Sequence, residues 1–346
     1  MKTSIITGIT GQDGSYLAEQ LLARGGIVHG IIRRSSSFNT NRIDHLISDE
    51  KILNKRLFLH FGDLTDSASL SSIVSEVEPD YIFNLAAQSH VKVSFELPDY
   101  TAQVDALGTL RLLEIIKNLK KNINIKLYQA STSELYGEVL EVPQTEKTFF
   151  NPTSPYAIAK QYAFWMCKNY RDSYDIFAAN GILFNHESPR RGKTFVTSKI
   201  VNSLAKIKLG NQTPLTLGNI YAKRDWGYAP EYTEGMIKII EQESAEDFVL
   251  ATGKTYTIKN FVDLCLKFLE INFEWTGQGV NEECIDKHSG KTIVKISKEY
   301  FRPSEVNLLI GDSSKAKKIL GWEAKTNIDG LIEIMMSSAL ADLKND

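Results

Sequence analysis

Short apolar runs of strand length recur at residues 3–8, 27–32, 57–61, 81–85, 125–130 and 176–183. Between them, residues 16–24, 67–77, 100–119 and 154–174 repeat their apolar positions at helical spacing. This alternation predicts a parallel sheet covered by helices on both faces. After Phe184 the rhythm breaks. Residues 196–209 and 258–269 read as helices and 248–251 as one more strand, while 277–290 is rich in glycine and polar residues. The expected fold class is α/β, a doubly wound parallel sheet with a smaller, mixed C-terminal lobe over the strand ends. The sheet domain is expected to take residues 1–184 with a returning strand near 246–252, and the lobe mainly 185–245 and 253–346.

Composition narrows the partners more than the fold. With 346 residues, 42% hydrophobic and 24% charged, the chain reads as an ordinary globular protein with a large core. A net charge of -2 gives no reason to invoke nucleic acid or an anionic membrane. Cys167, Cys265 and Cys284 are odd in number and widely separated, which fits reduced thiols and a cytoplasmic setting. No signal-peptide pattern follows Met1, and no apolar run approaches the ~20 residues of a membrane span. The six histidines lack metal-ligand spacing, so no metal is expected.

The run Gly8-Ile9-Thr10-Gly11-Gln12-Asp13-Gly14 follows the first strand and opens the first helix. Its G-x-x-G-x-x-G spacing lets a pyrophosphate approach backbone N–H groups at a helix N-terminus. Glycine-rich turns are common by themselves. Placed at strand 1 and helix 1 of an α/β pattern, this one predicts a Rossmann-type dinucleotide site. The second strand ends in Arg33-Arg34-Ser35-Ser36-Ser37, with no acid to accept from a ribose 2′-hydroxyl. Two guanidiniums and adjacent hydroxyls favour a 2′-phosphate, hence NADP, over the alternative of a solvated surface pair. Asp63 and Leu64 after strand 3, and the run from Leu85, Ala86 and Ala87 to Gln88 and Ser89 after strand 4, stand where such folds bind ligands.

Ser131-Thr132-Ser133-Glu134-Leu135-Tyr136-Gly137 precedes Ser154-Pro155-Tyr156-Ala157-Ile158-Ala159-Lys160. Tyr156 and Lys160, four apart, project from one helix face. A neighbouring ammonium favours a phenolate, which can take a proton from a sugar hydroxyl while hydride leaves the same carbon. Glu134 supplies a second proton-transfer group, so oxidation coupled to elimination is expected. Each residue also has a structural reading: Thr132 as a turn cap, Glu134 as a helix start, Tyr156 as a buried aromatic, Lys160 as a solvated side chain.

These motifs, with the runs at 84–96, 180–197, 224–227 and 300–306, closely resemble the GDP-mannose 4,6-dehydratase family of extended short-chain dehydrogenases/reductases. The run from Asn180 to Gly192 is its most specific part; a glycine turn and a Tyr-Lys pair alone would identify only the superfamily. The resemblance implies a lyase that uses NADP and acts on GDP-mannose or a closely related GDP-sugar. Tyr156 would deprotonate the C4 hydroxyl, Lys160 would hold the nicotinamide ribose, Thr132 would bond the C4 oxygen, and Glu134 would act on C5 and C6. By the same resemblance, Tyr100, His186 and Arg191 join the cofactor contacts. Ser89, Asn185, Lys199, Arg224, Arg302 and Glu305 would meet the nucleotide sugar, and the 33–40 loop would reach a neighbouring subunit in a homotetramer.

Thr153, Ser198 and Tyr221 depart from the family pattern, which carries charges there. The departures leave a GDP-manno-heptose as a rival substrate. A C4 epimerase or reductase would not need Glu134, and a non-catalytic NADP-binding regulator would be expected to have lost Tyr156, Lys160 or Glu134.

Overall fold

The computed structural model describes residues 1–36, 39–301 and 306–345. Strands β1 (Thr3–Thr7), β2 (Ile27–Ile32), β3 (Leu57–Phe61), β4 (Tyr81–Asn84), β5 (Lys126–Thr132) and β6 (Ala178–Leu183) fall on the six apolar runs. They are followed by β7 (Asn185–Glu187), β8 (Leu215–Leu217), β9 (Lys223–Arg224), β10 (Trp226–Tyr228) and β11 (Phe248–Leu250). The last four are β12 (Tyr256–Thr257), β13 (Phe273–Thr276), β14 (Glu283–Asp286) and β15 (Thr292–Ile296). The helices are α1 (Gln12–Ala23), α2 (Asp44–Ile47), α3 (Ser67–Val77), α4 (Val91–Glu96), α5 (Pro98–Thr101) and α6 (Gly108–Leu119). Then come α7 (Pro155–Tyr174), α8 (Val196–Lys208), α9 (Ala229–Ile240), α10 (Ile258–Phe268), α11 (Ser314–Leu320) and α12 (Ile328–Asn345).

Seven strands pair in parallel in the order β11-β6-β5-β4-β1-β2-β3. Successive side chains of one strand enter opposite cores, as the pleat requires. Ile6, Phe83 and Tyr128 pack with Leu17 and Leu21 of α1 and Met236 and Ile237 of α9. Their neighbours Ile5, Ile82 and Leu127 pack instead with Leu70 and Val74 of α3, Leu112 and Ile116 of α6, and Cys167 of α7. Order reverses at β1, between β2 and β4, so the crevice beyond the strand ends there is the place for a ligand.

Two findings differ from the sequence reading. Helix α9 lies inside the 185–245 stretch expected in the lobe, yet its apolar face covers the parallel sheet. The helix expected over 100–119 is interrupted: α5 gives way to a π-helical turn at Ala102–Leu107 before α6 resumes. Such a turn slips the side-chain register and commonly marks a functional site. Here it brings Asp105 inside, 2% exposed.

The lobe is built on β13-β14-β15-β8, antiparallel except for the β15–β8 pair. The glycine-rich stretch thus contains β14, whose Cys284 is buried with Ile293, Val294 and the apolar faces of α8, α10 and α12. Among the described residues, no helix is long and apolar enough to cross a membrane.

Candidate active site

The glycine turn packs closely against its own backbone and the loop after β4. Gly8 has φ +72°, and a Cβ there would sit 2.9 Å from the backbone N of Ala86. A Cβ on Gly14 would meet the Gly8 carbonyl oxygen at 2.3 Å, so α1 can start this close to β1 only with glycine. Gly11 caps α1 without a side-chain hydrogen bond, leaving the first helical N–H groups to a phosphate. The donor set and the bare backbone fit a dinucleotide pyrophosphate. The turn is also tied to β7. Gln12 donates to the His186 carbonyl at 3.0 Å and accepts from Ser188 at 2.8 Å, while Asp13 lies 2.9 Å from His186 Nε2. Thr10 offers its carbonyl to Arg42.

Arg33, Arg34, Ser35 and Ser36 are exposed just past β2, next to this turn in the sheet. Arg33 donates to the Tyr100 hydroxyl at 2.6 Å, and Arg34 lies over the Phe61 ring. Asp63 is occupied in a turn, accepting from the Thr65 N–H and hydroxyl, both at 2.8 Å. Leu64 is buried against α6, beneath Gly108. Thr7 accepts from the N–H groups of Leu85 and Ala86, both at 3.0 Å, and Gln88 accepts from the His90 N–H at 2.8 Å. These bonds fix the loop after β4 along one wall of the crevice.

A cleft of about 620 Å³ opens beyond the strand ends and brings together Asp13, Leu85, Ala87, Ser89, Thr132, Glu134, Tyr156, Lys160, Asn185, His186, Arg191, Lys199 and Arg224. Thr132 ends β5 and accepts from the Glu134 N–H at 3.2 Å, capping a 3-10 turn over Ser133–Tyr136. The cap reading of Thr132 holds, and the same cap sets the turn that places Glu134 along the cleft. Ser154 caps α7, accepting from Ala157 N–H at 3.1 Å, and Pro155 fits the first helical position. Lys160 then lies one turn beyond Tyr156, its Nζ 6.0 Å from the phenol ring centre and donating to the Ala130 carbonyl at 3.1 Å.

The electrostatics depart from the expectation that Lys160 depresses the Tyr156 pKa. Burial pushes the phenol above its usual range, Asp105 adds to this, and a hydrogen bond with Thr132 pulls the other way. Burial also lowers the Lys160 pKa, opposed chiefly by the negative charge of Asp105. Asp105 was missed in the sequence, where it reads as one polar position in an apolar helix. Its Oδ1 accepts from the Gln88 N–H at 2.7 Å, its Oδ2 is buried without a partner, and burial pushes its carboxyl up to about 6.

Asn185 lines the cleft, and its Oδ1 is buried without a hydrogen-bond partner among the described residues. Arg191 Nε lies 3.1 Å from Glu187 Oε2, but too far off axis to count as a hydrogen bond, and its guanidinium covers the Phe195 ring. Arg224 is buried and donates to the Val306 carbonyl at 2.6 Å. Arg302 and Glu305 lie outside the described residues. Thr153, Ser198 and Tyr221 do not line the cleft. Ser198 is buried behind it, bonding Arg191 O, while exposed Tyr221 donates to Glu282 at 2.6 Å.

The model of the family described as GDP-mannose 4,6 dehydratase matches residues 5–335. The chain belongs to that family. It is 53% identical over 348 residues to GDP-mannose 4,6 dehydratase 2 of Caenorhabditis elegans, covering 100% of this chain and 91% of that one. It is 52% identical to GDP-mannose 4,6-dehydratase of Sinorhizobium fredii, covering 99% and 98%. Among solved structures, it resembles Pal from Bacillus thuringiensis with TM-score 0.82 at 21% identity, covering 99% of each chain. It also resembles dTDP-glucose 4,6-dehydratase of Bacillus anthracis in complex with NAD, with TM-score 0.79 at 19% identity, covering 100% of this chain and 97% of that one. Those identities speak for the fold alone. The GDP-mannose 4,6 dehydratase family match spans both the sheet and the lobe.

Proposed function

We propose that this chain is a hydro-lyase that converts GDP-mannose to GDP-4-keto-6-deoxymannose, using bound NADP. The observation that carries the reading is one cleft holding Thr132, Glu134, Tyr156 and Lys160 together, in a chain that matches the family over residues 5–335. The exposed Arg33-Arg34 pair and the absence of an acid after β2 support NADP over NAD. Residues 1–184 would hold the dinucleotide through the glycine turn, Arg33, Arg34 and the loop after β4, while the lobe would hold the nucleotide sugar.

Held by the glycine turn and the loop after β4, the dinucleotide would supply a hydride acceptor for C4 and a hydride donor for C6. Tyr156, as its phenolate, takes the proton of the C4 hydroxyl and becomes the neutral phenol, and Thr132 donates to the oxygen as the ketone forms. The 4-ketone acidifies the C5 hydrogen. Glu134 removes that proton and delivers it to the departing C6 hydroxyl, which leaves as water. The proton held on Tyr156 balances the one regained at C5, so one water is lost and no net oxidation occurs. Lys160, one turn beyond Tyr156, would hold the nicotinamide ribose.

Thr153, Ser198 and Tyr221 stand outside the cleft lining, which supports mannose over a manno-heptose. Three buried, unpaired cysteines support a cytoplasmic setting. The exposed apolar side chains Ile158, Tyr162 and Trp165 of α7 support self-association, in a dimer or in the homotetramer that the family resemblance implies. The test is turnover of GDP-mannose deuterated at C4. The reading requires loss of water with deuterium at C6. Unchanged GDP-mannose alongside turnover of a GDP-manno-heptose would sink the mannose assignment.

A further inference from the structure

In the same cleft, two ammonium groups share one aromatic ring. Lys199, on α8 of the lobe, places its Nζ 3.7 Å from the centre of the Tyr300 ring and donates to the Thr216 carbonyl at 2.7 Å. Lys92, on α4 beside the parallel sheet, places its Nζ 5.9 Å from the same ring and donates to the Glu299 carbonyl at 3.4 Å. Among the described residues, neither has a carboxylate within ion-pair distance. Burial lowers the Lys199 pKa and the charge of Lys92 lowers it further, while the charge of Glu299 acts the other way without reversing the shift. Both side chains and Tyr300 line the same cleft as Glu134 and Tyr156.

A like-charge pair facing a cavity costs free energy unless an anion completes it. Carbonyl and ring contacts orient the two groups, and the charge of Glu299 offsets them only in part. Other acids of the cleft are already engaged: Asp13 with His186, and Glu187 with Thr197 at 2.6 Å. We propose that Lys92 is a diphosphate-binding residue of the nucleotide-sugar site, clamping the anion from the sheet side while Lys199 holds it from the lobe. The inference rests on the GDP-sugar reading and deepens it, because Lys92 carries no sequence signature that separates it from a solvated helix lysine.

The test is the affinity of the protein for GDP, measured by calorimetry on wild type, Lys92→Gln, Lys92→Glu and Lys92→Arg at low and high salt. The glutamine variant should lose about tenfold in GDP affinity, the value of one charge-assisted contact. The glutamate variant should lose more, arginine should restore most of the binding, and the gap should narrow in high salt. Affinity for NADP, measured in parallel, should not change. Wild-type affinity for GDP in both the glutamine and glutamate variants would overturn the clamp and leave the GDP-sugar reading standing. Failure of the wild-type protein itself to bind GDP would remove both.

Discussion

Asp13 Oδ2 lies 2.9 Å from His186 Nε2, and His186 Nδ1 lies 2.7 Å from the Phe184 carbonyl oxygen. Both ring nitrogens face acceptors, so the arrangement favours the doubly protonated imidazolium. Burial pulls the His186 pKa down, but Asp13 outweighs it and the net value is raised above 6.5. For Asp13, burial acts upward and His186 downward, and the net value falls below 3.8. The pair pins the glycine turn to β7.

The raised His186 value contributes stability that is complete below 6.5 and fades as pH rises through its folded pKa. The lowered Asp13 value contributes stability that is complete above 3.8 and fades as pH falls through its folded pKa. Asp13→Asn should therefore cost about 2 kcal/mol near pH 6 and less near pH 9. Urea denaturation at the two pH values measures this; an equal cost at both would show that no charged pair was lost.

Asp105→Asn should move the acid limb of kcat/KM to lower pH. Asparagine keeps a carbonyl acceptor for the Gln88 N–H but removes the charge that, after burial, raises the Tyr156 pKa. Because Asp105 itself titrates at about 6, the variant and wild type should converge below that pH. A pH profile with the limb unmoved would remove Asp105 from the electrostatics of Tyr156.

Glu134→Gln should keep dinucleotide binding and lose dehydration, with kcat reduced by about 10²–10⁴. The glutamine preserves the backbone N–H that Thr132 caps. Water release from GDP-mannose, followed alongside cofactor binding, separates the two effects. Full activity would take Glu134 out of the mechanism.

Replacing Arg33 and Arg34 together by alanine should weaken NADP binding about 10–100-fold and leave NAD binding nearly unchanged. Both side chains are exposed, although Arg33 also donates to Tyr100. Equal losses for the two dinucleotides in a fluorescence titration would mean that the pair does not read the 2′-phosphate.

Much of this molecule is legible along the chain because its signals are local. An apolar run buried on both faces, a glycine turn where any Cβ would collide, and a Tyr-Lys pair at helical spacing each report on neighbours a few residues away. Strand and helix ends move by only a few residues between sequence and structure, since caps such as Ser154 and Gly11 sit at the boundary itself. Less legible were the residues whose role depends on an element far off in sequence. Helix α9 looked like part of the lobe because its apolar face says only that it packs, not on what.

By itself, the sequence determined the alternating fold, and it proposed the dinucleotide turn and the candidate quartet Thr132, Glu134, Tyr156 and Lys160 from residue type, spacing and family resemblance. Only the tertiary structure decided that a π-helical turn carries Asp105 inward toward Lys160, that His186 locks Asp13, and that Lys92 and Lys199, on helices α4 and α8, meet at the Tyr300 ring. Charges act through space, and their strength follows burial and distance, neither of which is written in the spacing of residues along a chain.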